Sequence, residues 1–297
     1  MDSVRIKKPK VYYIKNLTNS KISRLFELMG REFLGNTGVK IDISNGGELW
    51  TADLVYSIAD KLCGTCVDTC IEREGAILSV DGMAQEFNRL GFVNFGGVDI
   101  LDKDGESLLE ISKSGNLKGE TFVGAGLLDY DNLVVLSEVY GEVTNKNYGG
   151  AINNLSIGLA SKGGKMWINS AGFTKDYDVV IDHNDKIENV LMSRAEAAKA
   201  VVDHFTRAKL MYINITEDVA IDGDCGNICD KRNVTGCGVY ASLDPVAVDQ
   251  ACFDATTRKS RIKRNAYQQQ REKDIEFLLE SAESMALGER DYELVEI

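Results

Sequence analysis

Short β-rich runs alternate with helically periodic segments over about the first 100 residues. Residues 10–14 (KVYYI) and the alternating run at 38–44 (GVKIDIS) are typical of strands. Residues 20–35 carry apolar side chains at helical spacing, and Thr51 is a good N-cap for a second helix. Strands separated by single helices indicate a parallel sheet with right-handed crossovers. The sequence therefore predicts an α/β protein with mixed, largely parallel sheets flanked by helices.

The order of these segments changes once along the chain. Residues 105–135 are strand-rich with short gaps, and α/β order returns after them. We therefore predict two lobes with a cleft between them. Residues 1–112 form an N-terminal α/β lobe, residues 113–264 form a C-terminal α/β lobe, and residues 265–297 form a helix and a terminal strand that pack back on the lobes.

Three local signals lie in the second half of the chain. The run DVVIDH at 178–183 is rich in β-branched residues and predicts a strand. Ser193 followed by Glu196 has the spacing of a capping box, which predicts a helix start. Asp244 before Pro245 predicts the start of another helix, since proline is tolerated in a first turn.

Composition narrows the classes of partner. The chain has 34 Lys and Arg against 46 Asp and Glu, a net charge of −12, so it repels a phosphate backbone and we expect no nucleic-acid partner. No apolar run approaches the roughly 18 residues of a membrane span, and the first residues lack the pattern of a signal peptide. We expect a cytoplasmic protein with a small-molecule partner and no membrane partner, and a homo-oligomer stays open. With only two histidines, a Ser-His-Asp triad is disfavoured.

The seven cysteines include two groups with close spacing. The first group consists of Cys63, Cys66 and Cys70. The second lies on a polar loop with two aspartates, and its candidate metal ligands are Asp222, Asp224, Cys225, Cys229 and Cys237. Thiolates at such spacings hold zinc or an iron–sulfur cluster, whereas free cysteines also pack as small apolar residues. We favour packing for the first group and keep a metal ion or iron–sulfur cluster open for the second.

A glycine pair follows a strand that ends near Ser137 and opens a helix. Glycines at a helix start free backbone N–H groups for an anion, and open α/β sheets bind ligands where their strands end. We therefore predict that the cleft binds a small anionic ligand or a metal, against the alternative of a plain strand–turn–helix. The predicted ligand-binding residues are Asp42, Glu138, Glu142, Gly149, Gly150, Asn153 and Lys165. With few imidazoles, carboxylates are the plausible acid or base groups, but no reaction follows.

Four blocks of the sequence resemble a known family. They are NLVVLSEVYGEVTNKNYGGAINNLSIGLASKGGK (132–165), MYINITEDVAIDGDC (211–225), GVYASLDPVAVDQA (238–251) and LGERDYELVEI (287–297). In this order they resemble domain of unknown function family 362, and the resemblance spans nearly the whole chain. Members of that family are often labelled uncharacterised iron–sulfur centre proteins.

The chain departs from the family pattern at several positions. Many members carry a ferredoxin-like insert with two cysteine quartets, whereas residues 166–210 here contain no cysteine, so we expect a member that lacks the insert and the clusters behind that label. The family tends to have histidines where this chain has Glu138 and Glu142, and a lysine where it has Asn153, while Cys225 falls on a family cysteine. The glycine-pair block is also similar to nickel-pincer lactate racemases, in which a lysine anchors the cofactor. The equivalent position in this chain is Asn153, so this chemistry is not carried over.

Three functional interpretations remain open at this point. The first is a ligand-binding or catalytic protein with a cleft between α/β lobes. The second is a metal or iron–sulfur redox protein that uses one of the two cysteine groups. The third is a degenerate family member that acts as a non-catalytic scaffold.

Overall fold

A computed structural model describes residues 8–15, 18–43, 50–73, 76–95, 97–112, 115–139, 149–183, 185–216, 238–259 and 266–297. The strands within these ranges are β1 (Lys10–Ile14), β2 (Thr37–Lys40), β3 (Thr65–Asp68), β4 (Glu72–Arg73), β5 (Ala76–Ile77), β6 (Asp99–Ile100), β7 (Glu106–Glu110), β8 (Glu120–Gly124), β9 (Asn132–Val139), β10 (Leu210–Thr216), β11 (Gly238–Ser242) and β12 (Glu293–Glu296). The α-helices are α1 (Asn19–Met29), α2 (Ala52–Leu62), α3 (Val80–Arg89), α4 (Gly150–Ser156), α5 (Lys162–Asn169), α6 (Tyr177–Asp182), α7 (Ile187–Phe205), α8 (Pro245–Lys259) and α9 (Ala266–Ser284).

Eight strands form one sheet in the order β12-β1-β11-β10-β9-β2-β3-β6. The pairs from β10 to β6 and the pair β1–β12 are parallel, whereas β11 is antiparallel to both of its neighbours. The prediction of an α/β fold with a largely parallel sheet is confirmed, and the C-terminal strand β12 lies at one edge of the large sheet. Strands β4–β5 and β7–β8 form two small antiparallel sheets. Because β2 pairs with β9, the large sheet runs through both predicted lobes, and the division into lobes stays a prediction.

Helices cover both faces of the large sheet. Along β9, Leu133 and Val135 face one apolar layer, and Val134 and Leu136 face the other, because successive strand residues alternate between faces. The first layer includes buried residues of α4, α7 and α8, and the second includes buried residues of α1, α2 and α3. A parallel sheet covered in this way is buried on both faces, so any charged side chain within it needs an explanation.

Helix α8 begins as the sequence predicts. The Asp244 Oδ1 atom accepts hydrogen bonds from the N–H groups of Val246 at 2.9 Å and Ala247 at 3.0 Å. Pro245 occupies the first helical position, where its missing N–H leaves no bond unmade. The cap and the proline therefore fix the start of α8 together.

The strand predicted at 178–183 is wrong, since most of this run belongs to helix α6. The Asp176 side chain caps this helix by accepting a hydrogen bond from the N–H of Asp178 at 3.0 Å. Local capping thus overrides the strand preference of the β-branched residues in the run. The helix is short and packs beside α5, away from the large sheet.

The capping box predicted at Ser193 is also wrong, because α7 begins six residues earlier, at Ile187. The Ser193 hydroxyl donates to the carbonyl of Asn189 at 2.9 Å, as it does inside a helix. Glu196 accepts hydrogen bonds from the backbone N–H groups of Asn116 at 2.9 Å and Leu117 at 2.8 Å, and so anchors a loop. Among the described residues, no helix combines the length and the apolar character that crossing a membrane requires.

Candidate functional site

The parallel strands β10, β9, β2, β3 and β6 all end at one edge of the sheet, which we call the carboxyl edge. Asp42 follows β2, Thr69 follows β3, Asp102 follows β6, and Glu138 is the penultimate residue of β9. Open α/β sheets bind ligands at this edge. Three segments near this edge lie outside the described residues: 44–49, which comes shortly after β2, and 140–148 and 217–237, which directly follow β9 and β10.

A buried ion pair lies at this edge. Lys40 ends β2 with only 1% of its surface exposed, and its Nζ atom lies 2.7 Å from Asp68 Oδ1 at the end of β3. The same Nζ donates to Asn154 Oδ1 at 2.7 Å and to the carbonyl of Ile41. Asn154, on α4, donates in turn to the carbonyl of Leu136 at 3.0 Å, which fixes the amide on the sheet. All three ammonium hydrogens of Lys40 therefore have acceptors.

Lys165 on α5 is a second buried lysine, with 4% of its surface exposed. Its Nζ donates to Thr69 Oγ1 at 2.8 Å and to the carbonyl of Ala160, and within the described residues it forms no ion pair. Burial, opposed by the charge of Asp102 and reinforced by that of Lys40, lowers the pKa of Lys165 to about 8. An ammonium group with one hydrogen left to donate thus lies inside the protein.

Two aspartates beside these lysines have oxygens to spare. Within the described part of the chain, Asp68 Oδ2 and Asp102 Oδ2 are buried without a hydrogen-bond partner. Asp68 Oδ1 accepts from the N–H of Thr69 at 2.8 Å, and Asp102 Oδ1 accepts from the N–H of Cys70 at 2.9 Å. Burial raises the pKa of Asp68 to about 6, against the lowering effect of Lys40. We call Lys40, Asp68, Thr69, Asp102 and Lys165 the carboxyl-edge cluster.

The predicted glycine pair does open a helix, and the anion at that helix belongs to the protein. The N–H groups of Ala151 and Ile152 donate to the two carboxylate oxygens of Asp249 at 2.7 and 2.9 Å. Gly150 has a φ of +81°, and a Cβ atom there would lie 2.8 Å from Asp249 Oδ1. Asn214 donates to the same oxygen at 2.6 Å. Glycine is therefore needed to admit an internal carboxylate.

Three other predicted ligand-binding residues lie either at the end of β9 or near the carboxyl-edge cluster. Glu138 accepts a hydrogen bond from the N–H of Trp50 at 3.2 Å, and a Cβ atom on Gly149 would lie 2.1 Å from the Glu138 carbonyl oxygen, so these two predicted residues meet. Asp42 is buried, and its charge helps to raise the pKa of Asp68, so it lies near the carboxyl-edge cluster.

Asn153 and Glu142 stand apart from this group. Asn153 lies on α4 beside α7, where its Oδ1 accepts a hydrogen bond from Arg194 Nη1 at 3.3 Å. Neighbouring Asn154 faces the sheet instead, so adjacent residues of α4 serve different regions. Glu142 lies outside the described residues.

The first cysteine group lies mostly in the core. Cys66 and Cys70 are buried among apolar side chains, and burial raises their pKa values to about 12 and about 11. Cys63 is exposed at the end of α2. Within the described residues, no three His, Cys, Asp or Glu side chains are placed to hold a metal ion. The predicted ligands Asp222, Asp224, Cys225, Cys229 and Cys237 lie outside those residues, and a metal or cluster there stays a prediction.

Sequence reasoning missed several of the buried polar residues. The missed set consists of buried Lys40, Asp68, Asn154, Arg194 and Asp249, and of half-buried Asp102, whose Oδ2 atom is buried. Lys40 gave no clear signal, because the alternating run at 38–44 places it at a polar position of a strand. The others became recognisable only when the fold brought them to a partner.

Helices on both faces of a mostly parallel sheet, with a buried polar cluster at the carboxyl edge, define an open-sheet α/β protein. The chain belongs to the family described as Domain of unknown function (DUF362), whose sequence model matches residues 49–254. No curated protein matches the sequence. The lack of the ferredoxin-like insert and the alternative of a metal or iron–sulfur cluster at the cysteine groups both stay predictions.

Among solved structures, the chain is similar to the lactate racemase apoprotein from Thermoanaerobacterium thermosaccharolyticum. The two chains share 12% sequence identity with a TM-score of 0.42, and the match covers 70% of this chain. It covers 51% of the racemase, so this chain spans about half of that structure's length. A likeness at this level tells nothing about ligand or activity.

Proposed function

We propose that the protein binds a small molecule carrying both an anionic group and a hydrogen-bond donor at the carboxyl-edge cluster. The anionic group contacts the Lys165 ammonium, which Thr69 holds in place while its own hydroxyl donates to the carbonyl of Gly158 at 2.8 Å, and the donor contacts Asp68 or Asp102. The observation that supports this most is the buried Lys165 ammonium, which has no ion pair among the described residues and adjoins two carboxylate oxygens without hydrogen-bond partners.

The energetics favour a ligand over a purely structural role. Burying an unpaired charge costs several kcal/mol, and each buried oxygen without a hydrogen bond costs about 1–3 kcal/mol. Groups that lower stability in this way concentrate at functional sites. The cluster contains two ammonium groups and two carboxylates, so its charges suit a ligand that carries both an anionic group and a hydrogen-bond donor. This proposal leaves the reaction unspecified, but the lowered pKa of Lys165 makes it the group best suited to move a proton.

The test compares two lysine variants in the full chain. Lys165→Met removes the buried ammonium and keeps the length of the side chain. Lys209→Met removes an exposed lysine just before β10, at the opposite edge of the sheet. Glycolate and glycine each carry a carboxylate and a donor, and serve as probes in isothermal titration calorimetry and in thermal unfolding.

We expect the dissociation constant of the better probe to rise by about tenfold or more in Lys165→Met, because one charge-assisted contact is lost. Lys209→Met should bind as the wild type does. Equal binding by Lys165→Met and the wild type contradicts the proposal, and so does a wild type that neither probe stabilises.

A further inference from the structure

Strand β12 forms one edge of the large sheet, and part of its backbone points away from that sheet. The N–H of Glu293 donates to the Pro9 carbonyl at 2.9 Å, and the N–H of Ile297 donates to a carbonyl of β1 at 3.0 Å. Because the backbone groups of successive strand residues point to opposite sides, the N–H and C=O groups of Leu294 and Glu296 point outward. Within the described residues, β12 pairs only with β1. Its outer side therefore offers backbone donors and acceptors to an incoming strand.

A surface groove of about 640 Å³ adjoins this edge. It is lined by residues of α8 and α9 and by the chain that leads into β12. Tyr292 and Leu294 line it from the same side of the strand, and Leu294 keeps 52% of its surface exposed. Peptides that add a strand to a sheet gain affinity from the backbone and specificity from pockets for alternate side chains. A strand edge with a groove beside it provides both parts.

Carboxylates outnumber cations in this groove. They belong to Asp254, Glu283 and Asp291. Among the described lining residues the one cation is Arg290, which forms an ion pair with Glu280 at 3.1 Å. Asp291 forms a pair with Lys8 at 2.7 Å, but that pair is exposed and therefore weak. The groove is thus negative overall and suits lysine or arginine side chains.

A second copy of the chain suits this edge poorly. Its strand would bring the same exposed glutamates, Glu293 and Glu296, beside those of the first copy, and each chain carries a net charge of −12. Like charges that are brought together oppose association. A segment with lysine or arginine side chains instead places opposite charges beside these glutamates.

We propose that the outer edge of β12 and the adjoining groove bind an extended, basic peptide segment of another protein. The peptide adds a strand to the large sheet through the outward backbone groups of Leu294 and Glu296, and a basic side chain enters the acidic groove. This surface goes beyond the proposed function, because four strands separate β12 from β2, where the carboxyl-edge cluster begins.

The probe is a short synthetic peptide, blocked at both ends, in which lysine and valine alternate. One control peptide has glutamate in place of lysine, and the other keeps the lysines but carries methyl groups on its central backbone nitrogens. Titration calorimetry measures binding to the full chain at low ionic strength. We expect the lysine peptide to bind, and both control peptides to bind about tenfold more weakly or less, since one loses the charge and the other the N–H groups.

Two variants of the chain test the two parts of the surface. Leu294→Pro removes an outward N–H and keeps the bonds to β1, so it should fold and bind the lysine peptide about tenfold more weakly. Glu296→Lys should weaken binding about three- to tenfold through its charge. Its matched control is Glu110→Lys, the same charge reversal at an exposed position of β7, which should bind as the wild type does.

Each other outcome overturns the proposal. A lysine peptide that does not bind removes it, and equal binding of the methylated peptide shows charge attraction without strand addition. Sedimentation velocity tests the other occupant: a wild-type dimer that Leu294→Pro dissociates makes a second copy the partner. Lys165→Met should keep peptide binding, which separates this surface from the carboxyl-edge cluster.

Discussion

Removing the ammonium of Lys40 tests whether the buried ion pair at the carboxyl edge holds the two strand ends together. In Lys40→Met, Asp68 keeps its buried position but loses the partner at 2.7 Å, and Asn154 loses the donor to its side-chain oxygen. Breaking a buried pair by removing one partner costs about 3–5 kcal/mol, because the remaining charge is left uncompensated. With an entropy of unfolding of about 2.1 cal/mol/K per residue, this cost lowers the melting temperature by about 5–8 °C for 297 residues.

The assay is urea and thermal unfolding at pH 7.5, followed by circular dichroism. Lys103→Met is the matched control, because Lys103 forms an exposed pair with Asp99 at 2.6 Å and should cost less than about 1 kcal/mol. The double variant Lys40→Met/Asp68→Asn should recover about half of the loss, since it removes the stranded charge. A Lys40→Met variant within about 1 kcal/mol of the wild type refutes this account of the pair.

Three further predictions concern the helix cap and the thiols. Burial raises the pKa of Asp249 from 3.8 to about 6, so its contribution to the free energy of unfolding should fall by about 3 kcal/mol as pH rises from about 3 to 7. The measurement is the difference in the free energy of urea unfolding between the wild type and Asp249→Asn as a function of pH. A difference that grows as pH rises contradicts the prediction. In the same assay, Gly150→Ala should destabilise the protein by about 2 kcal/mol more than Gly97→Ala. The two glycines have similar positive φ angles, but a Cβ atom on Gly97 would have no neighbour within 4 Å. In a variant with serine in place of Cys225, Cys229 and Cys237, only one thiol of the native chain, that of Cys63, should react rapidly with a disulfide reagent. Rapid reaction of a second thiol contradicts the burial of Cys66, Cys70 and Cys252.

The elements of the sheet were largely predictable because their local and tertiary preferences agree. The continuous apolar run of β9 is buried on both faces, and that burial is what such a run predicts. The run at 178–183 failed for the opposite reason, since β-branched composition favoured a strand while Asp176 capped a helix. Ser193 failed because a serine and a glutamate three residues apart also fit inside a helix, and the buried face of α7 extends back to Leu191.

The candidate sites were predictable only in part, because charge and burial combine through contacts between distant segments. Lys40 looks like the polar position of an alternating strand, and only the covering helices make it an interior residue. Lys165 was singled out for its charge beside glycines, but its partner Thr69 lies 96 residues away. Arg194 occupies an alanine-rich helix that is buried over much of its length, and this is visible only once α4 and α9 are packed on it.

The place of β1 in the large sheet has a consequence for how the chain is made. Although β1 comes first in the sequence, both of its neighbours, β11 and β12, are translated near the other end, and Ile14 pairs with Val239 about 225 residues later. At ribosomal rates of about 5–20 residues per second, β1 waits roughly 10–45 s for its first partner. During that interval it is an unpaired apolar segment, so capture by a chaperone and slow closure of this side of the sheet are the expected features of its biosynthesis.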